Sequence, residues 1–277
     1  SNQHPRRDSN SFEKEILELK NNFPFHNFKS LSNFICKIRT IKSNTEIEFI
    51  EKSCDIISEA FLKTLPKIKN NKFEYEIEAD IQYEITKKGC YRFSYEPIIA
   101  NGENSCILHY NSNDSFLKKG EIILLDIGAE YCNYASDTTR VVCFSEKFSN
   151  EQKNIYNEVL NVLNFCHRHF ILGKSIKDIA KDILEDLKKA MVNLKLIKNI
   201  EDDEYRRYFM HGIMHHVGLD VHDFCDYEIP LCENMVFAIE PAIYIKEKNI
   251  GIRLENTFAI KNSKLKNLCN KMPIEIS

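Results

Sequence analysis

The hydrophobic pattern changes period repeatedly along the chain, and this alternation is the strongest constraint on its fold. Ile47, Ile50, Cys54, Ile57, Phe61 and Leu65 recur at three- and four-residue steps, which predicts a helix over 45–65. Ser43-x-x-Glu46 has the form of a capping box at its start, and Pro66 ends it. Further amphipathic helices are predicted over 12–21 and 73–88, the second closed by Gly89. Residues 92–99, 121–127, 129–135 and 138–144 are then short, β-branched or aromatic, with Gly, Asn, Ser or Asp between them, as antiparallel strands are. Helices return over 150–171, behind Ser149-x-x-Gln152, and over 176–194, where Ile176, Ile179, Ile183 and Leu187 share a face. A short helix or turn over 203–210 precedes strands at 213–222, 235–245 and 251–260. Helices, strands, helices and strands in two similar halves predict an α+β fold, with a curved antiparallel sheet covered on one face by helices.

Composition excludes several classes of partner. Hydrophobic residues make up 43% of the 277 and charged residues 29%, as in a soluble globular enzyme. The net charge is −3 and lysines are spread throughout, so no basic stripe offers itself to nucleic acid. No apolar run approaches the roughly 18–20 residues that span a membrane. The opening SNQHPRRDSN lacks the apolar stretch of a signal peptide and is expected to be disordered. Ten scattered cysteines in mostly apolar surroundings read as reduced thiols, which points to the cytoplasm.

Four acids stand in strand-like apolar runs. Asp126 ends IILLD and Asp137 follows in YASDTTRVV, so a turn near Gly128 would let them face each other from adjacent strands. Glu240 lies in MVFAIEPAIYI and Glu255 in IGIRLENTFAI. Any one of them could sit at a sheet edge facing solvent. Four together call for a shared cation, because burying a lone carboxylate is costly.

The stretch FMHGIMHHVGLDVHDF (209–224) adds His211, His215, His216 and His222, four of the nine histidines. The H-E-x-x-H spacing of zinc proteases is absent, so a metal here must draw ligands from elsewhere. Four carboxylates and an imidazole suit two divalent ions. Oxygen-rich ligation favours Mn²⁺, with Co²⁺, Fe²⁺ and Zn²⁺ as alternatives.

In succession, GENSCILHY (102–110), LLDIGAEYCNYASDTTRVV (124–142), FMHGIMHHVGLDVHD (209–223), FAIEPAIYI (237–245) and GIRLENTFAI (251–260) resemble the motifs of Xaa-Pro aminopeptidase (aminopeptidase P). That family belongs to the pita-bread metallopeptidases, with prolidase and methionine aminopeptidase. The resemblance implies a pita-bread catalytic domain over 41–277, with 1–40 as the remnant or linker of the N-terminal domain that relatives carry. It implies a two-metal enzyme that releases the residue ahead of a penultimate proline by attack of a metal-bridging hydroxide, and it implies self-association. The ligands would be Asp126, Asp137, His215, Glu240 and Glu255. Asp137 and Glu255 would bridge, and Glu240 would also accept the proton. His109, His211 and His222 match the family's further active-site histidines, while His216 is expected to pack.

Arg253, two positions before Glu255 and so on the same strand face, is expected to support a ligand carboxylate. Tyr244 is expected either in the pocket or in the core. Departures from the family lie at Glu233-Asn234, at Ala242 and in FCDYE after Asp223. Two alternatives remain at this point: an Xaa-Pro dipeptidase of prolidase type, and a metal-free pita-bread binding module.

Overall fold

The computed structural model describes residues 9–144, 147–201 and 203–274. Residues 1–8 of the segment expected to be disordered lie outside them, and Ser9 and Asn10 already belong to helix α1 (Ser9–Asn22). A second helix, α2 (Ser32–Thr40), has no counterpart in the sequence reading. It lacks a side-chain cap, and Phe34 and Ile38 on it are exposed, so no buried stripe marks it.

Helices α3 (Asn44–Thr64) and α4 (Glu74–Thr86) follow as expected. Ser43 caps α3 in both directions: its hydroxyl accepts from the Glu46 amide at 3.3 Å, and Glu46 accepts from the Ser43 amide at 2.7 Å. These helices cover a sheet of order β1-β2-β5, formed by β1 (Ile98–Asn101), β2 (Ile122–Ile127) and β5 (Thr138–Cys143), all antiparallel. Ile57, Ile77, Ile81 and Ile85 pack on Ile123, Leu125 and Ile127. Each such side chain, fully buried, stabilises by roughly 1.5–3 kcal/mol.

The hairpin β3 (Glu130–Tyr131) and β4 (Tyr134–Ala135) stands between β2 and β5. Its turn is Cys132-Asn133, both at positive φ, and not Gly128. Gly128 is instead a point of close approach, where a Cβ would meet the Ser136 carbonyl at 2.0 Å.

The second half repeats the plan. Helices α5 (Asn150–Phe165) and α6 (Ile176–Asn193) cover a sheet of order β11-β10-β7-β6. The strands are β6 (Met214–His216), β7 (Val236–Ile239), β10 (Asn256–Lys261) and β11 (Lys264–Asn267). Ile179, Ile183 and Leu187 pack on Phe237 and Ile239. Helix α5 stops six residues before the expected end, in a 3₁₀ turn at Cys166–His169, and 203–210 reduces to another at Asp203–Arg207.

The long strands expected at 235–245 and 251–260 are each broken in two. Between their halves lies a separate hairpin of β8 (Ala242–Ile245) and β9 (Ile250–Arg253). Pro241 cannot donate to a ladder, so pairing stops there. The chain leaves one sheet for another at Glu240-Pro241 and returns at Leu254-Glu255. The breaks hold each other: Leu254 N–H donates to the Pro241 carbonyl at 3.2 Å, and Glu240 N–H to the Ile213 carbonyl at 2.9 Å. Ala242 sits in β8 at an ordinary φ, while Asn234 adopts the left-handed turn, φ 68°.

Candidate metal centre

Asp126, Asp137, His215, Glu240 and Glu255 all line one pocket of about 610 Å³, together with His109, His211, His222 and Arg253. The pairing of β2 with β5 sets Asp126 across from Thr139, two residues past Asp137. One ligand atom each from Asp137, His215 and Glu255 lies within 4.8 Å of the others. Asp126 and Glu240 flank this trio.

His215 is oriented by its own backbone neighbour. Its Nδ1 lies 3.1 Å from the His216 carbonyl and so carries a proton, which turns Nε2 toward the acids. Nε2 stands 3.3 Å from Asp137 Oδ2, 3.7 Å from Glu240 Oε1 and 3.8 Å from Glu255 Oε1. The ring stacks on His222 with centroids 4.0 Å apart.

Supporting contacts fix the carboxylates. The Tyr95 hydroxyl lies 2.6 Å from Asp126 Oδ1 and 2.7 Å from Asp137 Oδ1. Arg253 donates to Asp126 Oδ2 at 2.5 Å, to the Tyr244 hydroxyl at 2.6 Å and to Thr139 Oγ1 at 3.2 Å. Thr139 Oγ1 in turn donates to Glu255 Oε2 at 2.7 Å. Tyr95 and Thr139 were not singled out from the sequence. Thr139 lies within a quoted motif but carries no charge to mark it, and Tyr95 lies outside the motifs, in the bend before β1.

Tyr244 does not line the pocket. It is a core residue, 1% exposed, whose hydroxyl accepts from Arg253 and lies 2.9 Å from His211 Nε2. His211 Nδ1 lies 2.7 Å from the Gly212 carbonyl, so its Nε2 accepts from Tyr244. Burial and the Arg253 charge push the His211 imidazole down to about 3, in keeping with a neutral ring.

The electrostatics are those of a cation site. Burial pushes Glu255 well above the usual carboxylate range, and its neighbours Asp137, Glu240 and Asp126 push the same way. Burial also raises Glu240 and Asp126. Burial opposes charge on His215 too, but Asp137 outweighs it and lifts the imidazole to about 9. Four crowded carboxylates face the charge of Arg253 and at most one more from His215. They ionise together only when further positive charge joins them, as metal-ligating acids do.

His216 stands apart from the site. It is fully buried, edge-on to Tyr227 at 5.1 Å, and its Nδ1 lies 3.2 Å from the Val236 carbonyl.

Comparison with known proteins gives a consistent picture. The model of metallopeptidase family M24 matches residues 48–262. The Xaa-Pro aminopeptidase of Haemophilus influenzae is 36% identical over 88% of this chain and 60% of its own length. That of Escherichia coli is 33% identical over 84% and 56%. An Xaa-Pro dipeptidase of Pyrococcus horikoshii is 32% identical over 91% of this chain and 69% of its own. Among solved structures, proline aminopeptidase P II from Yersinia pestis superposes with a TM-score of 0.87 at 27% identity, over 99% of this chain and 69% of that one. This chain therefore spans a little over half the length of the two Xaa-Pro aminopeptidases.

Proposed function

This chain belongs to metallopeptidase family M24, and on that premise we propose that it is a metal-dependent aminopeptidase releasing the N-terminal residue from peptides with proline in second position. The observation that carries this reading is the Asp137–His215–Glu255 cluster, flanked by Asp126 and Glu240 on the floor of a histidine-lined pocket. The names of the relatives described above support the same substrate class.

We assign Asp126, Asp137, His215, Glu240 and Glu255 as ligands of two divalent ions. The donor set fits: four carboxylates and one imidazole with its Nε2 turned to them favour hard ions, Mn²⁺ first. Bound there, such ions activate water and polarise a carbonyl.

The chain's own groups do the rest. Arg253 and Tyr95 keep Asp126 in place, and Thr139 keeps Glu255 in place. Glu240 is the proton carrier: burial raises its affinity for a proton, and it stands at the pocket surface. His109 and His222 line the same pocket and supply N–H donors to the substrate's carbonyl oxygens. Proline offers no N–H at the cleaved bond, so recognition rests on donors aimed at the carbonyl and on pocket shape.

Ten free thiols support a reducing, cytoplasmic setting. Among the described residues no helix is long and apolar enough to cross a membrane.

The test pairs elemental analysis of Mn²⁺-loaded protein with hydrolysis of Ala-Pro-Ala. About two ions per chain and release of alanine are expected. Metal-free, inactive protein would favour the binding-module alternative instead.

A further inference from the structure

We propose that Glu96 makes the pocket select peptides carrying a lysine or arginine side chain either on the N-terminal residue or on the residue after the proline, an inference that rests on the peptidase reading above. Glu96 lines the pocket and is exposed. Its position is rigid on both sides. Tyr95 before it is anchored through its hydroxyl to Asp126 and Asp137. Pro97 after it restricts Glu96 to an extended backbone, and the Pro97 carbonyl accepts from buried Asn113 at 2.9 Å.

The carboxylate itself is pre-aimed. Asn111, another pocket residue, donates to Glu96 Oε2 at 2.6 Å. No cation pairs with Glu96 among the described residues. Arg253, the arginine that lines the pocket, is committed to Asp126. The lining residues Ile98, Leu108, Val221 and Tyr227 are uncharged at neutral pH. Outside the cluster of ligating acids, the fixed charge that the wall offers a peptide is thus negative.

Distance from the reacting centre decides which cation it meets. A whole tyrosine side chain separates the backbone at Glu96 from the acids that Tyr95 touches. Glu96 therefore faces the outer part of a bound peptide, where a long side chain reaches, and not the reacting amide or the amine next to it.

The test uses the full chain loaded with Mn²⁺ and compares kcat/KM for Lys-Pro-Ala against Glu-Pro-Ala, and for Ala-Pro-Lys against Ala-Pro-Glu. At one of the two positions lysine is expected to be preferred by about three- to five-fold, the scale of a partly exposed ion pair. The preference should shrink at about 0.5 M NaCl, since exposed charges are screened. It should vanish in Glu96→Gln and reverse in Glu96→Lys. Equal rates in the wild type, or a preference that survives Glu96→Lys, would overturn the proposal while leaving the peptidase reading intact. Failure to cleave any of the four peptides with metal bound would strike down both.

Discussion

Arg253 and Asp126, 127 residues apart in sequence, meet as a buried ion pair of 2.5 Å, with side-chain exposures of 3% and 13%. The same guanidinium reaches Tyr244 and Thr139, so it ties together β2, β5, β8 and β9. Arg253→Met leaves the acid without its partner and is expected to cost about 3–5 kcal/mol, as broken buried pairs do. Arg253→Lys keeps the charge but not the fork, and should fall between. Urea unfolding measures the stability, and Mn²⁺ content per chain reports whether Asp126 has moved.

The histidines should separate by what each loses. His215→Ala is expected to lower both metal content and hydrolysis. His222→Ala should cut hydrolysis by about 100-fold or more with metal retained. His216→Phe should keep both, with stability within about 1 kcal/mol of the wild type. Its Nε2 is buried without a partner among the described residues, and an apolar ring of similar shape removes that cost. The Val236 carbonyl keeps its bond from Val217 N–H. Equal metal loss in His216→Phe and His215→Ala would mean that the wrong histidine has been assigned as ligand.

Acid should weaken one specific joint. Asp223, next to His222, accepts from Lys42 at 3.1 Å and from Arg39 on α2. Burial works to raise its carboxyl, but Lys42 and Arg39 outweigh that and hold it below the usual range. A depressed carboxylate stabilises above its unfolded value, about 3.9, and that contribution disappears as pH falls through the folded value. Asp223→Asn is therefore expected to cost roughly 3–5 kcal/mol near neutrality, and progressively less as pH falls below about 3.9 toward the depressed folded value. Urea titrations at several pH values check this. A cost independent of pH would contradict the ion-pair assignment.

Peptide length provides a fourth check. A dipeptidase needs a free cation for the proline carboxylate. Arg253 is taken by Asp126, and Arg140, 2% exposed, spends its donors on carbonyls of Thr139, Glu255, Met272 and Pro273 and on Asn256. Ala-Pro-Ala should thus be cleaved at least about tenfold faster than Ala-Pro, the scale of one missing charge-assisted bond. A preference for Ala-Pro would move the assignment to the prolidase type.

The four acids that gather in one pocket, Asp126, Asp137, Glu240 and Glu255, were readable because a lone carboxylate inside an apolar run is physically expensive and so conspicuous. The capping boxes at Ser43 and Ser149 were readable because they are local. The breaks at Glu240 and Glu255 were not. A run such as MVFAIEPAIYI has the same composition whether it forms one strand or two, and only tertiary pairing decides. Tyr95 escaped for a related reason: its partners lie 31 and 42 residues away. Helix α2 escaped because it buries little, and burial is what writes a periodic stripe into a sequence.

The long separation between Arg253 and Asp126 also governs when the acid cluster can first be completed. During synthesis the half that carries Asp126 and Asp137 emerges early, with α3, α4 and the sheet they cover. Glu240, Arg253 and Glu255 follow much later, and two of them sit at crossings that close only when β7 pairs with β10. Until that pairing forms, the early acids have neither their guanidinium nor their opposite ligands. On the proposed assignment, a nascent or truncated chain ending before Glu255 is expected to hydrolyse nothing, however well its first half has folded. Topology thus acts as a timer, leaving the acid cluster incomplete until both halves are joined.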